Sequence, residues 1–593
     1  MLEPRVALPA RVEGVVYIGA MRLRIMMSFL LAGVLLWLAV FAAGQAPATD
    51  VDWSSYGRDA SETHYSPLKQ VDSSNAARLG LAYATTIDAP QGNNEATPIM
   101  GNGTIYSSLS WGVIVAFDAR TGESKWRWDP ELPRTGTDRP GTCCGAVNRG
   151  VAFANGKIFA GLINGRLVAL DANTGKQVWS TQTTDPATDT TITGAVRVFK
   201  NKVIVGTAGA EFNVRGYFSA YDTETGKLAW RFYTVPGDPS KPFEHPELAA
   251  AAKTWAGTEW WKNGGGGTVW DGMAYDADAD LLYVGTGNGG PWNPVYRSPG
   301  GGDNLYLSSI LAVKPDTGKM VWYFQETPRE AWDYTATQSM ILADININGR
   351  VRKVIMQAPK NGFFYVLDRL TGEFISGKPY TEVSWAKALD AKGRPIENPG
   401  VRYENGATVE IAPGSGGGHN WQPMAFSPAT GLVYIPGSVN SRMYHSTPEF
   451  NPQKGKQVSG VDMNDFAAGV SPAGARITNK GAFVKAWDPV KQEQRWSVTQ
   501  AFSAGLLATA GNLVFVPGSD GKLIALNAST GERVWDAMLV AGIATPITYS
   551  LDGVQYVAVI AGRGGNQPTR LYAFKLDGKA VVASPVNPPA LQR

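Results

Sequence analysis

Two adjacent cysteines, Cys143 and Cys144, are the only thiols in a chain of 593 residues. Neighbouring Cα atoms lie about 3.8 Å apart, whereas disulfides ordinarily bridge roughly 4.4–6.8 Å. A bond between them closes a strained ring with a distorted peptide. An oxidising compartment favours that bond, and no third thiol competes for it; a pair of free buried thiols is the alternative. With four histidines (His64, His245, His419 and His445) a zinc cluster is all but excluded, and no CxxCH is present to attach a c-type haem. The glycine runs Gly264–Gly267 and Gly416–Gly418 sit between β-type segments without the spacing of a phosphate cradle. No GxGxxG follows a strand to open a helix, which disfavours a nicotinamide enzyme. Metal chemistry, if any, must then come from oxygen ligands, which favour Ca²⁺ or a similarly hard cation. Residue type alone does not select among the 51 Asp and Glu.

The elements that must position such groups are turn-rich. The chain has 68 Gly and 37 Pro, is 44% hydrophobic and only 18% charged, a profile of β structure rather than of long helices or disorder. One phrase recurs: AFDARTGESKW (Ala116 to Trp126), ALDANTGKQVW (Ala169 to Trp179), AYDTETGKLAW (Ala220 to Trp230) and ALNASTGERVW (Ala525 to Trp535), with weaker copies beginning at Ala312, Val366 and Ala486. Its physical content is an alternating strand, a tight turn whose Gly supplies positive φ, and a return strand ending in a buried Trp. Leading β runs number eight, near Ile105, Ile158, Val203, Leu282, Val354, Val433, Leu513 and Tyr556. One such unit cannot bury both faces of its sheet, so stacking around an axis is the natural solution. The sequence therefore predicts an all-β fold, an eight-bladed β-propeller with tryptophan-docking repeats, ahead of a pair of sandwiches or a solenoid. At about 68 residues per unit, against 40–50 for common propeller repeats, the excess must lie in loops, where function concentrates.

Lys and Arg number 54 against 51 Asp and Glu, a net charge of +3 that offers no basic footprint for nucleic acid. Met21-Arg22-Leu23-Arg24 followed by the apolar stretch Ile25 to Ala43 and small residues reads as an export signal cleaved near 42 to 48. Residues 1–48 are accordingly expected to be leader and export signal, and 49–593 the propeller. Met21 is an alternative start. The stretch is also just long enough to span a bilayer, so an uncleaved anchor is the one route to membrane association. The mature chain is expected to be soluble and outside the cytoplasm.

The segments TCCGAVNRG (Thr142 to Gly150), GTAGAEFNVRG (Gly206 to Gly216), GGGGTVWDGMAYD (Gly264 to Asp276), VGTGNGGPWN (Val284 to Asn293), ETPREAWDYTAT (Glu326 to Thr337), APKNGFFYVLDR (Ala358 to Arg369) and GGGHNWQP (Gly416 to Pro423) occur in that order. Together they resemble the quinoprotein alcohol dehydrogenases that use pyrroloquinoline quinone (PQQ) and Ca²⁺, with coverage from about Trp53 to Asp577. The resemblance implies an eight-bladed propeller in the periplasm. It makes Glu211, Asn288 and Asp333 the Ca²⁺ ligands, with Asp333 also the catalytic base. The quinone would lie between the Cys143-Cys144 ring and the indole of Trp270. Arg149, Thr193, Thr268, Lys360, Asn420 and Trp421 would surround its rim, Glu95 would accept from a cofactor N–H, and the main chain at Gly209-Ala210 would contribute. The implied reaction removes a hydride from an alcohol and leaves an aldehyde or ketone.

Departures refine the resemblance. Thr335 stands where the lanthanide-dependent branch has a further Asp, which favours Ca²⁺. Lys360 replaces an Arg of methanol dehydrogenases, and GDNLYLSS (Gly302 to Ser309) looks like the ethanol and higher-alcohol branch, so ethanol or longer primary alcohols are expected ahead of methanol. Ala208 replaces a Ser that binds cofactor in methanol dehydrogenases, which removes one rim hydrogen bond. The wording is most similar to the quinohaemoprotein branch, whose chains continue into a cytochrome c domain. Without CxxCH, electrons are expected to pass to a separate cytochrome c. The competing readings are a non-catalytic propeller scaffold or sensor, and the same cofactor chemistry on a polyol or other hydroxylated substrate.

Overall fold

Eight sheets, each built on four antiparallel strands, form the blades, and the seventh gains a fifth strand, Tyr65–Ser66, which pairs in parallel with Leu507–Thr509. The computed structural model describes residues 51–135, 144–453, 455–457, 459–462 and 479–582; the leader over 1–48 and Cys143 lie outside the described residues. Blades 1 to 7 occupy residues 99–128, 152–182, 197–233, 273–325, 340–379, 425–499 and 507–538. Blade 8 comprises 547–576 and borrows its outermost strand, Leu79–Ile87, from the other end of the chain, where it pairs with Thr569–Leu576. The result is the eight-bladed β-propeller that the repeats predict. Among the described residues, α-helix is confined to Glu247–Ala252, Glu259–Lys262 and Pro294–Arg297, and no helix is long and apolar enough to cross a membrane.

The burial pattern explains the sequence pattern. Second strands such as Thr104–Ser108, Leu281–Gly285 and Leu513–Pro517 are buried along their whole length, because both faces of a blade are covered by its neighbours. Leu281–Gly285 and Leu513–Pro517 accordingly read as continuous apolar runs rather than as alternation. Outermost strands such as Gln177–Gln182 are largely exposed and polar.

The repeated phrase forms the joint between blades. Asp118 shows its first half: its Oδ1 accepts the N–H groups of Arg120 and Thr121 at 2.9 and 3.0 Å, pinning the turn that ends in Gly122. The closing Trp then docks on the next blade. The Nε1–H of Trp126, Trp179, Trp230, Trp322 and Trp496 donates to the carbonyls of Ala172, Thr223, Pro315, Arg369 and Ala528. Each indole lies flat on the turn glycine of that blade: a Cβ on Gly175, Gly226, Gly318, Gly372 or Gly531 would meet the ring at 2.6–2.8 Å. These glycines thus serve twice, for their positive φ and for the indole's approach.

Three joints depart from the pattern. Trp535 donates to Leu79 O of the borrowed strand. At the joint of blades 8 and 1, Tyr83 takes the place of Trp, packing on Gly122 and donating to Ala119 O at 3.0 Å. At the joint of blades 5 and 6 the pair is inverted. Ser376 stands opposite Val366 where other blades carry Trp, and Gln492 takes the glycine position at φ 54. The buried Gln492 side chain reaches back and donates to Ser376 Oγ at 3.0 Å. The large group has moved from one side of the joint to the other. Restoring the usual pair in Ser376→Trp/Gln492→Gly is expected to give a higher melting temperature than either single variant, since Trp alone clashes with Gln492 and Gly alone leaves a cavity; coupling of about 1 kcal/mol or more is anticipated. Additive effects in thermal unfolding would refute this inverted pairing.

Candidate active site

In an antiparallel blade, the entrance to the first strand and the exit from the second lie at the same end, so loops at these points from successive blades crowd over one mouth of the ring. Glu95, Arg149, Thr193, Thr268, Trp270, Asp333, Asn420 and Trp421 all lie just before a first strand. Gly209, Glu211, Asn288 and Lys360 lie just after a second strand. These loops enclose a cavity with about 900 Å³ of empty space including the solvent at its mouth, lined by every one of those residues and by Cys144. Ala210 is the described exception: it is buried behind the wall, its carbonyl against Gly290. Gly145, Val147, Thr191, Ala208 and Phe212 complete the lining. Of these, the sequence had singled out only Ala208.

Asp333 is the chemical centre. Its side chain is mostly buried, and Lys360 Nζ donates to Oδ2 at 2.9 Å. Burial pushes its carboxyl well above the usual range, the Lys360 ammonium pulls it back, and Glu211 adds to the upward push. Asn288 Nδ2 donates to Glu211 Oε1 at 3.3 Å. Rotating that amide presents its oxygen instead, so Glu211, Asn288 and Asp333 can offer a hard cation an all-oxygen set. Among the described residues no three His, Cys, Asp or Glu side chains converge on a metal position, and Asn288 is the non-carboxylate member such a set requires.

Across the cavity, Arg149 forms an ion pair with Glu95 at 2.9 Å and donates to Thr193 Oγ1 at 3.0 Å. Its guanidinium carbon lies 5.0 Å from the ring centre of Trp270 and 5.7 Å from that of Trp421. Burial raises the Glu95 carboxyl and Arg149 opposes the rise. The backbone of Trp270 packs on Gly194, where a Cβ would lie 2.3 Å from the Trp270 carbonyl. Asn420 serves its own loop, donating to Gly416 O and accepting from Trp421 N. Thr268 Oγ1 is buried without a hydrogen-bond partner on the cavity wall. A buried hydroxyl without a partner is costly, and a polar ligand in the cavity relieves it. The donor set and this orphaned hydroxyl fit a flat, polyanionic cofactor with a cation beside it.

Beneath the cavity runs a ladder of charge that motif reading missed. Asp271 lies 3.9 Å from both Arg149 and Arg197, and Arg197 pairs with Glu62 at 2.7 Å. All are buried. Positions 149, 197 and 271 belong to three successive blades, position 62 precedes them all, and they share no spacing, so only assembly of the ring brings them together.

Residues 53–398 and 479–557 match the family model described as the β-propeller domain of PQQ glucose/ethanol/alcohol dehydrogenases. The quinohemoprotein alcohol dehydrogenase ADH IIB of Pseudomonas putida is 52% identical over 561 residues, covering 91% of this chain and 79% of that protein. A 1-butanol dehydrogenase (cytochrome c) of Thauera butanivorans is 41% identical, covering 91% and 79%. The crystal structure of the Comamonas testosteroni quinohemoprotein alcohol dehydrogenase superposes with a TM-score of 0.83 at 43% identity, covering 92% of this chain and 83% of that one. Fold and site together define a quinoprotein propeller. The chain belongs to the PQQ-dependent alcohol dehydrogenase family and is an oxidoreductase of that family.

A testable consequence concerns acid stability. His64 is fully buried between Trp53 and Tyr56 with no hydrogen bond to its ring nitrogens, and burial lowers its pKa to about 3. A depressed imidazole pKa means that the unfolded chain binds the extra proton, so stability present above pH 6.5 is lost as pH falls towards 3, by up to ~1.4 kcal/mol per unit. His64→Leu is expected to flatten the decline of melting temperature between pH 6.5 and 4.5. An unchanged slope would show that His64 does not carry it.

Proposed function

We propose that this protein oxidises alcohols to aldehydes in the periplasm, acting on ethanol or longer primary alcohols in preference to methanol, and delivers the electrons to a separate cytochrome c. The observation that carries this reading is that one cavity gathers the Asp333–Lys360 pair, Glu211 and Asn288 opposite Arg149, Trp270 and Thr268. PQQ with Ca²⁺ beside it would supply a two-electron acceptor and a Lewis acid.

The chain's own residues supply the rest. Asp333 is the base that takes the alcohol proton, which requires it to be ionised despite its burial. The Lys360 ammonium at 2.9 Å favours that form, and a cation held by Glu211, Asn288 and Asp333 would favour it further. Lys360 has three donors and Asp333 occupies one, so others can face a cofactor oxygen. Arg149, Thr193 and Thr268 present donors to the cofactor's acidic rim, with Glu95 as acceptor for its N–H. Trp270 offers a flat apolar face, and a disulfide between Cys143 and Cys144 would supply the opposing face. The vicinal cysteines and the leader over 1–48 support an oxidising compartment outside the cytoplasm. Preference for longer alcohols and a cytochrome acceptor draw support from the Thauera butanivorans relative, a 1-butanol dehydrogenase (cytochrome c).

The test is dye reduction by the purified mature protein, with PQQ and Ca²⁺ added singly and together, against methanol, ethanol, 1-butanol and secondary alcohols. Turnover should need both additions, with kcat/KM for ethanol or 1-butanol above that for methanol. Asp333→Asn should lower kcat by about 10²–10⁴. Failure to bind PQQ would remove the reading, and undiminished turnover in Asp333→Asn would remove the role of that residue.

A further inference from the structure

Asp333 holds a backbone conformation that L-residues rarely adopt, with φ at 66°. Such a residue costs of order 1–3 kcal/mol and persists only where its surroundings enforce it. Here the enforcing group is one carboxylate. Glu330 is fully buried and does not line the cavity. Its Oε1 accepts the backbone N–H of Trp332 at 2.5 Å and of Tyr334 at 2.8 Å, the two amides that flank Asp333. Its Oε2 accepts the N–H of Gly289 at 3.0 Å, the residue after Asn288. Two loops from different blades, each carrying one of the oxygen donors, are thus tied to opposite oxygens of a single side chain.

Arg297 fixes the same joint from the other side. Its fully buried guanidinium donates to the carbonyls of Pro291 and Trp292 on the Asn288 loop, at 2.5 and 2.9 Å, and to the Glu330 carbonyl at 2.6 Å. The chemistry of the joint selects a carboxylate: three converging N–H groups need two oxygens that only accept, and a neutral amide has one. Burial pushes the Glu330 carboxyl above its usual range, and the Arg297 charge and the three amides pull it back in part.

We propose that Glu330 is a positioning residue that sets the separation of Asn288 and Asp333, so that the cation site is assembled before cofactor and metal arrive. The inference rests on the reading of Asn288 and Asp333 as cation ligands. Glu330 touches neither substrate nor cofactor and acts through the two backbones it holds.

Glu330→Gln separates the arms of the clamp. Its amide oxygen can keep the Trp332 and Tyr334 bonds, while its NH₂ group faces the Gly289 N–H, donor against donor, and releases the Asn288 loop. The measurement is calorimetric titration of full-length protein saturated with PQQ, with Ca²⁺ and then Sr²⁺, alongside the melting temperature in EDTA. The variant should bind Ca²⁺ about 10–100-fold more weakly, the range found when partners behind metal ligands are removed. Its Ca²⁺/Sr²⁺ affinity ratio should shift toward the larger ion, a change that mere loss of stability does not produce. A folded Glu330→Gln protein with wild-type Ca²⁺ affinity and an unchanged ratio overturns the proposal. Should that variant fail to fold, Glu330→Asp keeps the charge facing Arg297 but falls one methylene short of Gly289; it should also weaken Ca²⁺ binding, and wild-type affinity there overturns the clamp. Wild-type protein that binds neither PQQ nor Ca²⁺ defeats the underlying site reading, which is distinguishable from a wild type that binds both and a variant that binds equally well.

Discussion

The docking of one large side chain across each blade joint is the interaction on which the molecule depends. A blade is covered on both faces only by its neighbours, so its buried strands have no stable existence outside the ring. At most joints the contact is an indole lying on a glycine, with the Nε1–H satisfied by a backbone carbonyl of the next blade. Apolar area drives the contact, and the hydrogen bond and glycine fit define its register. The Ser376–Gln492 joint shows that the requirement is filled volume and a satisfied donor rather than tryptophan itself.

A ring closed in this way places its loops with little freedom, and the site uses that rigidity to hold charge away from water. Arg149, Asp271, Arg197 and Glu62 alternate in sign through the interior. Burying any one of them alone would cost several kcal/mol, and removing one partner strands the next. Lys360 and Asp333 form a second such pair inside the cavity itself. The ladder thus holds Arg149 in place from below while its exposed edge meets the cavity.

What the sequence made legible follows from what repeats. The turn glycine and the closing Trp recur with fixed spacing because every joint solves the same packing problem, and the blade count follows from them. The site residues were legible only through family phrases, since a cavity assembled from loops of six blades leaves no local spacing to read. Glu95, Asp333 and Trp421 are far apart in the chain and adjacent only once the ring is closed. Tyr83 and Gln492 escaped notice because each fills a joint without matching the phrase. Asp271 sits inside a recognised phrase, GGGGTVWDGMAYD, yet its partners lie in other blades. The main chain at Gly209-Ala210 is legible only through the phrase GTAGAEFNVRG; Gly209 lines the cavity, while Ala210 is buried with its carbonyl beside Gly290.

The blades divide the work unequally. Cavity residues come from the loops of blades 1 to 6, Glu95 at the start and Trp421 at the end, while blades 7 and 8 contribute none to the lining. Those two blades span the gap between Trp421 and Glu95 and are sealed by the strand Leu79–Ile87, which pairs with Thr569–Leu576 and receives Trp535. That strand ends only a few residues before Glu95, so the segment that closes the ring also carries the first polar group of the site. The partner of Glu95, Arg149, enters from blade 2, and the geometry of their pair depends on the ring being complete. Closure and site assembly are therefore one event: loss of the borrowed strand would free the edge of blade 8, and with it the segment that leads Glu95 to Arg149.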